Sequence, residues 1–169
     1  KRMEDYLQLV PLDPFYRIFS GPGEQFDYWR DQARTEAEIA KYSPADVEGY
    51  RRYIKGIRDI FSWFHPFTEK SFPTLWSFLR IFPHVIKTGT WRSMYAYASK
   101  FIRHPFIRKV ASFHPLLVGG NPFDTPSIYG LIIQFEKEWG VHYCKGGTGA
   151  IVQALARLFA DCGGRIQLN

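Results

Sequence analysis

A chain of 169 residues with 46% hydrophobic side chains can bury the core of one domain or two small lobes, which excludes a disordered or fibrous polypeptide. The formal charge of +6 is unevenly spread: residues 70–123 contain no Asp or Glu, whereas Lys70, Arg80, Lys87, Arg92, Lys100, Arg103, Arg108 and Lys109 all fall there. Cys144 and Cys162 form neither a disulfide framework nor a metal spacing, so buried thiols in a reducing compartment are expected.

Residues 6–30 read as extended. Leu7, Leu9 and Leu12 alternate with less apolar neighbours, and two further runs, 15–19 and 25–29, flank Ser20, Gly21, Pro22, Gly23 and Glu24 as a β-hairpin with its loop. Ala33, Ala37, Ile39 and Ala40 predict a short helix within 31–42. Ser43 and Pro44 are an N-cap and first helical residue, and Val47, Tyr50, Ile54, Ile57, Phe61 and Phe64 give the next helix a continuous apolar stripe ending before Pro66. Two helices split near Gly89 are expected over 74–103, the first bent or broken at Pro83, and another over 105–117.

The last part carries the densest punctuation. Gly119 and Gly120 stop a helix, Thr125 and Pro126 start another, and Ile128, Leu131, Ile132, Phe135 and Trp139 extend it along one apolar face. After Gly140 come a short strand over 141–144, the turn Lys145, Gly146, Gly147, Thr148, Gly149, a helix on Ile151, Val152, Leu155, Leu158 and Phe159, and a final strand over 165–169.

The acid-free span also holds Phe72, Trp76, Phe78, Phe82, Trp91, Tyr95, Phe101 and Phe106, so cations and aromatic rings interleave on short helices. A membrane surface suits this pattern, because cations attract anionic headgroups and rings settle at the interface. A basic solvated face over an ordinary helical core is the plain alternative. A nucleic-acid surface is a third, but the aromatics form greasy runs and no nucleic-acid-reading motif accompanies them. The longest uncharged run, 110–123, is too short to cross a bilayer and is broken by His114, Pro115 and two glycines.

No catalytic site stands out from spacing alone. The histidines His65, His84, His104, His114 and His142 share no metal-binding interval, and three of them precede prolines, where they read as boundary punctuation. There is no Gly-x-Ser-x-Gly elbow with suitable partners and no nucleotide-binding loop.

The runs at 113–129 (FHPLLVGGNPFDTPSIY), 138–159 (EWGVHYCKGGTGAIVQALARLF) and 163–169, together with LVPLDPFYRIF at 9–19, PADVEGYRRYI at 44–54 and TWRSMY at 90–95, resemble the bacterial and fungal type of phytoene desaturase. The likeness covers nearly the whole chain. It implies an α+β fold, a mostly helical middle with a β-hairpin and strand-turn-helix elements belonging to the substrate domain of a two-domain FAD flavoprotein. The Gly-x-Gly-x-x-Gly turn that clamps the dinucleotide in that family is absent, so an internal fragment is expected, with the Rossmann part elsewhere.

The resemblance also divides the chain: 1–42 as hairpin and short helix, 43–109 as a basic, aromatic, membrane-facing helical region, 110–144 as substrate-domain helices and strand, and 145–169 leading back to the FAD domain. It implies FAD-dependent desaturation of phytoene, a C40 polyene, by a cytoplasmic, peripherally membrane-bound enzyme. A related C30 desaturase, isomerase or saturase, or a non-enzymatic module binding membranes or apolar ligands, are the alternatives. In the family an acid and an arginine three positions apart lie near the flavin; here the arginine matches Arg80 but the acidic position is Ser77. Arg80 is thus the expected catalytic residue and Gly146, Gly147, Thr148 and Gly149 the expected FAD contacts.

Overall fold

A computed structural model describes residues 2–21, 23–65 and 75–167, without the side chains of 75–78 and 80. Seven α-helices, four short strands and several 3-10 turns are found among them. The expectation of an α+β chain with a helical middle and a β-hairpin holds, and the strands form two small antiparallel sheets.

The hairpin pairs β2 (Tyr16–Ser20) with β3 (Glu24–Tyr28), Tyr16 opposite Tyr28 and Ile18 opposite Phe26. Alternation sends Phe26 and Tyr28 into the core and leaves Arg17 and Asp27 to pair across the outer face at 2.7 Å. The preceding run is not part of this hairpin. Its strand, β1 (Leu9–Pro11), instead pairs antiparallel with β4 (His142–Cys144), far along the chain.

Helix α1 (Gln32–Tyr42) starts where the Asp31 carboxylate accepts the Arg34 N–H. Helix α2 (Asp46–Phe64) starts two residues later than Pro44 predicts, because Ser43 and Pro44 form a turn whose Ser43 carbonyl accepts the Asp46 N–H. Tyr50, Ile54 and Ile57 of the expected stripe are buried and, joined by Tyr53 and Ile60, form the axis of the core, whereas Val47, Phe61 and Phe64 are only half-buried against it. Gly49 is required on that stripe: a Cβ there would collide with the Phe101 backbone carbonyl.

Helix α3 (Leu75–Thr88) runs through Pro83 rather than breaking there, and Gly89, with φ +73°, follows its end. The helix expected after it shortens to α4 (Met94–Ala98), capped by Ser93. Helix α5 (Pro105–Ser112) also ends earlier than predicted and gives way to a 3-10 turn, His114–Val118. Pro115 has no N–H to offer the Ala111 carbonyl, which accepts the Tyr53 hydroxyl at 2.6 Å instead.

Pro126 does not begin a helix. Residues 125–127 are held extended by bonds from Met94 N–H to Thr125 and from Ser127 N–H to Arg92, so a 3-10 turn (Ser127–Gly130) precedes a shorter helix, α6 (Leu131–Trp139). Helix α7 (Thr148–Asp161) follows β4 as predicted. The strand expected over 165–169 has no regular structure through residue 167, and its last two residues lie outside the described ones. Cys144 is buried as anticipated, whereas Cys162 is exposed.

Candidate functional site

Between β4 and α7 the chain reverses on Gly146 (φ +90°) and Gly147 (φ +77°), backbone angles that side-chain-bearing residues rarely adopt. Gly147 N–H donates to the Cys144 carbonyl and Lys145 N–H to that of Gln8, both at 2.9 Å, so the turn is fixed from beneath by the β1–β4 ribbon. Its outer side is open. No atom lies within 4 Å of where a Cβ on Gly147 or Gly149 would stand, and Thr148 is exposed. The Thr148 and Gly149 N–H groups open a 14-residue helix here with no acceptor in their own helix, while that of Ala150 bonds the Gly147 carbonyl, and the dipole makes this end positive. The geometry suits close approach by a polar or anionic group, the property expected of a flavin contact.

Arg80 and Ser77 lie on α3, and their side chains fall outside the described residues. Beside α3, a cleft of about 460 Å³ separates it from α2, lined by Asp59, Trp63, His84, Lys87 and Tyr97. His84 stacks on Trp63 with ring centroids 5.4 Å apart. Because α3 packs on α2 while α7 packs on β4, the two sequence-predicted site regions hang from different parts of the fold.

Apolar surface is the most extensive resource of this chain. A groove of about 340 Å³ is walled by Phe19, Tyr95, Phe106, Phe113, Leu116 and Phe123, with Lys109 at its edge. On α3, Leu79, Phe82 and Ile86 are exposed, as is Trp91 beyond it, close to Lys87 and Arg92. The Arg92 guanidinium sits 4.9 Å from the Trp91 ring. No helix among the described residues is long and apolar enough to cross a membrane.

One polar constellation escaped the sequence. Glu136, from α6, is buried; its Oε1 accepts the Tyr16 hydroxyl at 2.6 Å and its Oε2 lies 3.2 Å from Nε2 of the fully buried His114. Burial and this carboxylate push the Tyr16 phenol well above its usual pKa. The neighbouring Lys137 donates to the Trp29 and Arg30 carbonyls at 2.6 and 2.9 Å, and burial lowers its ammonium to about 8. Residues 16, 114 and 136 share no spacing that announces their meeting. The Pro after His114 marks only the local turn, as read.

No family model matches the chain. Curated relatives do. Over all of this chain it is 45% identical to a lycopene-forming phytoene desaturase of Pseudescherichia vulneris, covering 35% of that protein. Over 96% of the chain it is 37% identical to a neurosporene-forming phytoene desaturase of Rhodobacter capsulatus, covering 31% of it. A 4,4'-diapophytoene desaturase of Methylomonas, 28% identical, is matched by the whole chain over 33% of its length. The chain thus spans about a third of the length of the curated relatives it matches.

Proposed function

We infer that this chain, homologous along its whole length to a section of the phytoene desaturases, is part of an FAD-dependent desaturase that introduces double bonds into a C40 polyene. The observation that carries this reading is the 45% identity over an alignment that takes in the whole chain. The lower identity to a diapophytoene desaturase favours the C40 over the C30 substrate.

A polyene offers no polar handle, so the protein's contribution is a dry apolar surface that aligns the chain and keeps water away. The groove walled by Phe19, Phe106, Phe113 and Phe123 has that character. FAD, when bound, supplies the two-electron oxidation. Gly146, Gly147, Thr148 and Gly149 fit one edge of it: the turn is open beside Gly147 and Gly149, and the backbone N–H groups of Thr148 and Gly149 start the helix there, whereas the dinucleotide clamp has no counterpart in this sequence. Arg80 is assigned to stabilising negative charge near that cofactor. The exposed Leu79, Phe82, Ile86 and Trp91, with Lys87 and Arg92, support peripheral attachment to an anionic membrane. Each cation there contributes roughly 1 kcal/mol and each buried large apolar side chain roughly 1.5–3.

The test is expression of the chain within its longer reading frame, supplied with FAD and phytoene-loaded liposomes. Visible absorbance bands from newly conjugated double bonds are expected. A protein that retains FAD and binds liposomes while leaving phytoene unchanged would overturn the desaturase reading in favour of an isomerase, saturase or other polyene enzyme.

A further inference from the structure

Five tyrosines cross the core in a row. Tyr97 lines the cleft between α2 and α3; its ring centroid is 6.0 Å from that of Tyr53, which is 6.2 Å from that of Tyr50. The Tyr50 and Tyr28 hydroxyl oxygens are 3.5 Å apart, and the Tyr28 and Tyr16 rings are 6.4 Å apart. Tyr28, Tyr50, Tyr53 and Tyr97 are all buried, with exposures of 4% or less. A plain apolar core has no use for so many hydroxyls, since each must find a partner or forfeit its hydration.

The phenols differ in where a proton could go. Tyr53 donates to a peptide carbonyl, which is a very weak base, and Tyr28 and Tyr50 face only each other. Tyr16 alone in the row donates to a carboxylate, at 2.6 Å, a distance across which a proton moves directly. The other oxygen of that carboxylate faces His114, whose Nδ1 is buried without a partner. Removing an electron from a phenol makes it strongly acidic, so an electron vacancy settles where a base waits.

We propose that this row is a path for an electron vacancy, entered at Tyr97 and ending at Tyr16, which is a redox-active tyrosine with Glu136 as its proton acceptor. The oxidant is a one-electron oxidant at the cleft, of the peroxyl-radical class. It gains one electron and takes a proton from water to become a hydroperoxide, leaving a hydroxide ion that the solvent buffer neutralises. Tyr16 loses that electron through the row, its O–H bond breaks, and the proton forms a new O–H bond on Glu136 Oε1. A neutral phenoxyl radical and a hydrogen-bonded carboxylic acid remain. This inference is independent of the desaturase reading.

The test is photo-oxidation of the chain by tris(bipyridine)ruthenium(II) with a cobalt(III) pentaammine acceptor, followed by freeze-quench electron paramagnetic resonance. A Tyr6→Phe background removes the exposed phenol that donates to Asp161. We expect a neutral tyrosyl signal. Tyr16→Phe and, by interrupting the row, Tyr53→Phe should each lower its yield about fivefold or more, and Glu136→Gln should shorten its lifetime about a hundredfold, the lower end of what a positioned base contributes. A 3-fluorotyrosine at position 16 keeps the hydroxyl and adds fluorine splitting, so the assignment survives if Tyr16→Phe fails to fold. A signal without that splitting, or unchanged by Tyr16→Phe, places the radical elsewhere and overturns the proposal. A Tyr16 signal unaffected by Tyr53→Phe overturns the path.

Discussion

The core around α2 and the C-terminal β4–α7 unit use similar sequence patterns to opposite ends. Along α2 the apolar stripe is buried on α1, α3 and α6, and its one buried carboxylate, Asp46, accepts the N–H groups of Arg103 and His104 at 2.8 and 2.7 Å. Along α7 the stripe is equally regular, yet Ala154 alone is buried and Val152, with 66% of its surface exposed, Leu155 and Phe159 face outward. The difference teaches that amphipathic spacing specifies a face without specifying what covers it. The core has its cover within the described residues. The face of α7 offers its apolar surface outward, as the α3 face and the Phe19–Phe123 groove do.

Substitution at Gly49 is the harshest way to break the core. Gly49→Ala should cost about 3 kcal/mol or more in urea unfolding, because the obstructing atom is a backbone carbonyl that cannot turn aside. Asp46→Ala comes next, at about 2–3 kcal/mol, since it strands two N–H donors. Burial opposes ionisation of Asp46, but the two backbone N–H groups and Ser43 overcome it and hold its carboxyl below the usual range. Its contribution is therefore complete above the unfolded value of about 4 and is lost as pH falls through the lower folded value; Asp46→Asn should flatten that acid limb.

Lys137 gives a third, smaller effect with a characteristic sign. Its folded value near 8 lies below the unfolded value of about 10.4, so the unfolded chain binds the extra proton between them. Stability should rise by about 1–2 kcal/mol from pH 8 to 10 and Lys137→Met should remove the rise. Above about pH 10 the buried phenols Tyr28, Tyr50 and Tyr53, whose desolvation raises them, reverse the slope: the unfolded chain loses those protons first.

The outward faces should respond least. Val152→Gln with Leu155→Gln should change the unfolding free energy of this chain by no more than about 0.5 kcal/mol. Gly149→Ala should be neutral or stabilise by up to about 1 kcal/mol, because open space and ordinary φ meet better helix propensity. If the glycine turn contacts FAD, the same substitution in the longer protein should weaken FAD retention without lowering stability. A turn serving only as a turn would leave retention unchanged.

Elements whose signals are local were legible: the β2–β3 hairpin, the α2 stripe, the positive-φ stop at Gly119 and the strand, glycine turn and helix around Gly146 and Gly147. The errors have two sources. Pro126 reads as a first helical residue, but the distant 92–94 backbone holds its segment extended; the helix predicted through Leu117 stops because Pro115 supplies no N–H, and Tyr53 satisfies the Ala111 carbonyl left free.

By itself, the sequence determined the acid-free aromatic span, the places where glycine must turn the chain and the resemblance that the 45% identical relative bears out. Tertiary structure alone decided that β1 joins β4, that His114, Glu136 and Tyr16 meet, and which apolar faces stay exposed. The physical reason is one of range. Caps, turns and periodicity act over a few residues, whereas the β1–β4 pairing and the Tyr16–Glu136 bond join residues more than a hundred positions apart and His114 meets Glu136 across 22, separations that spacing does not encode.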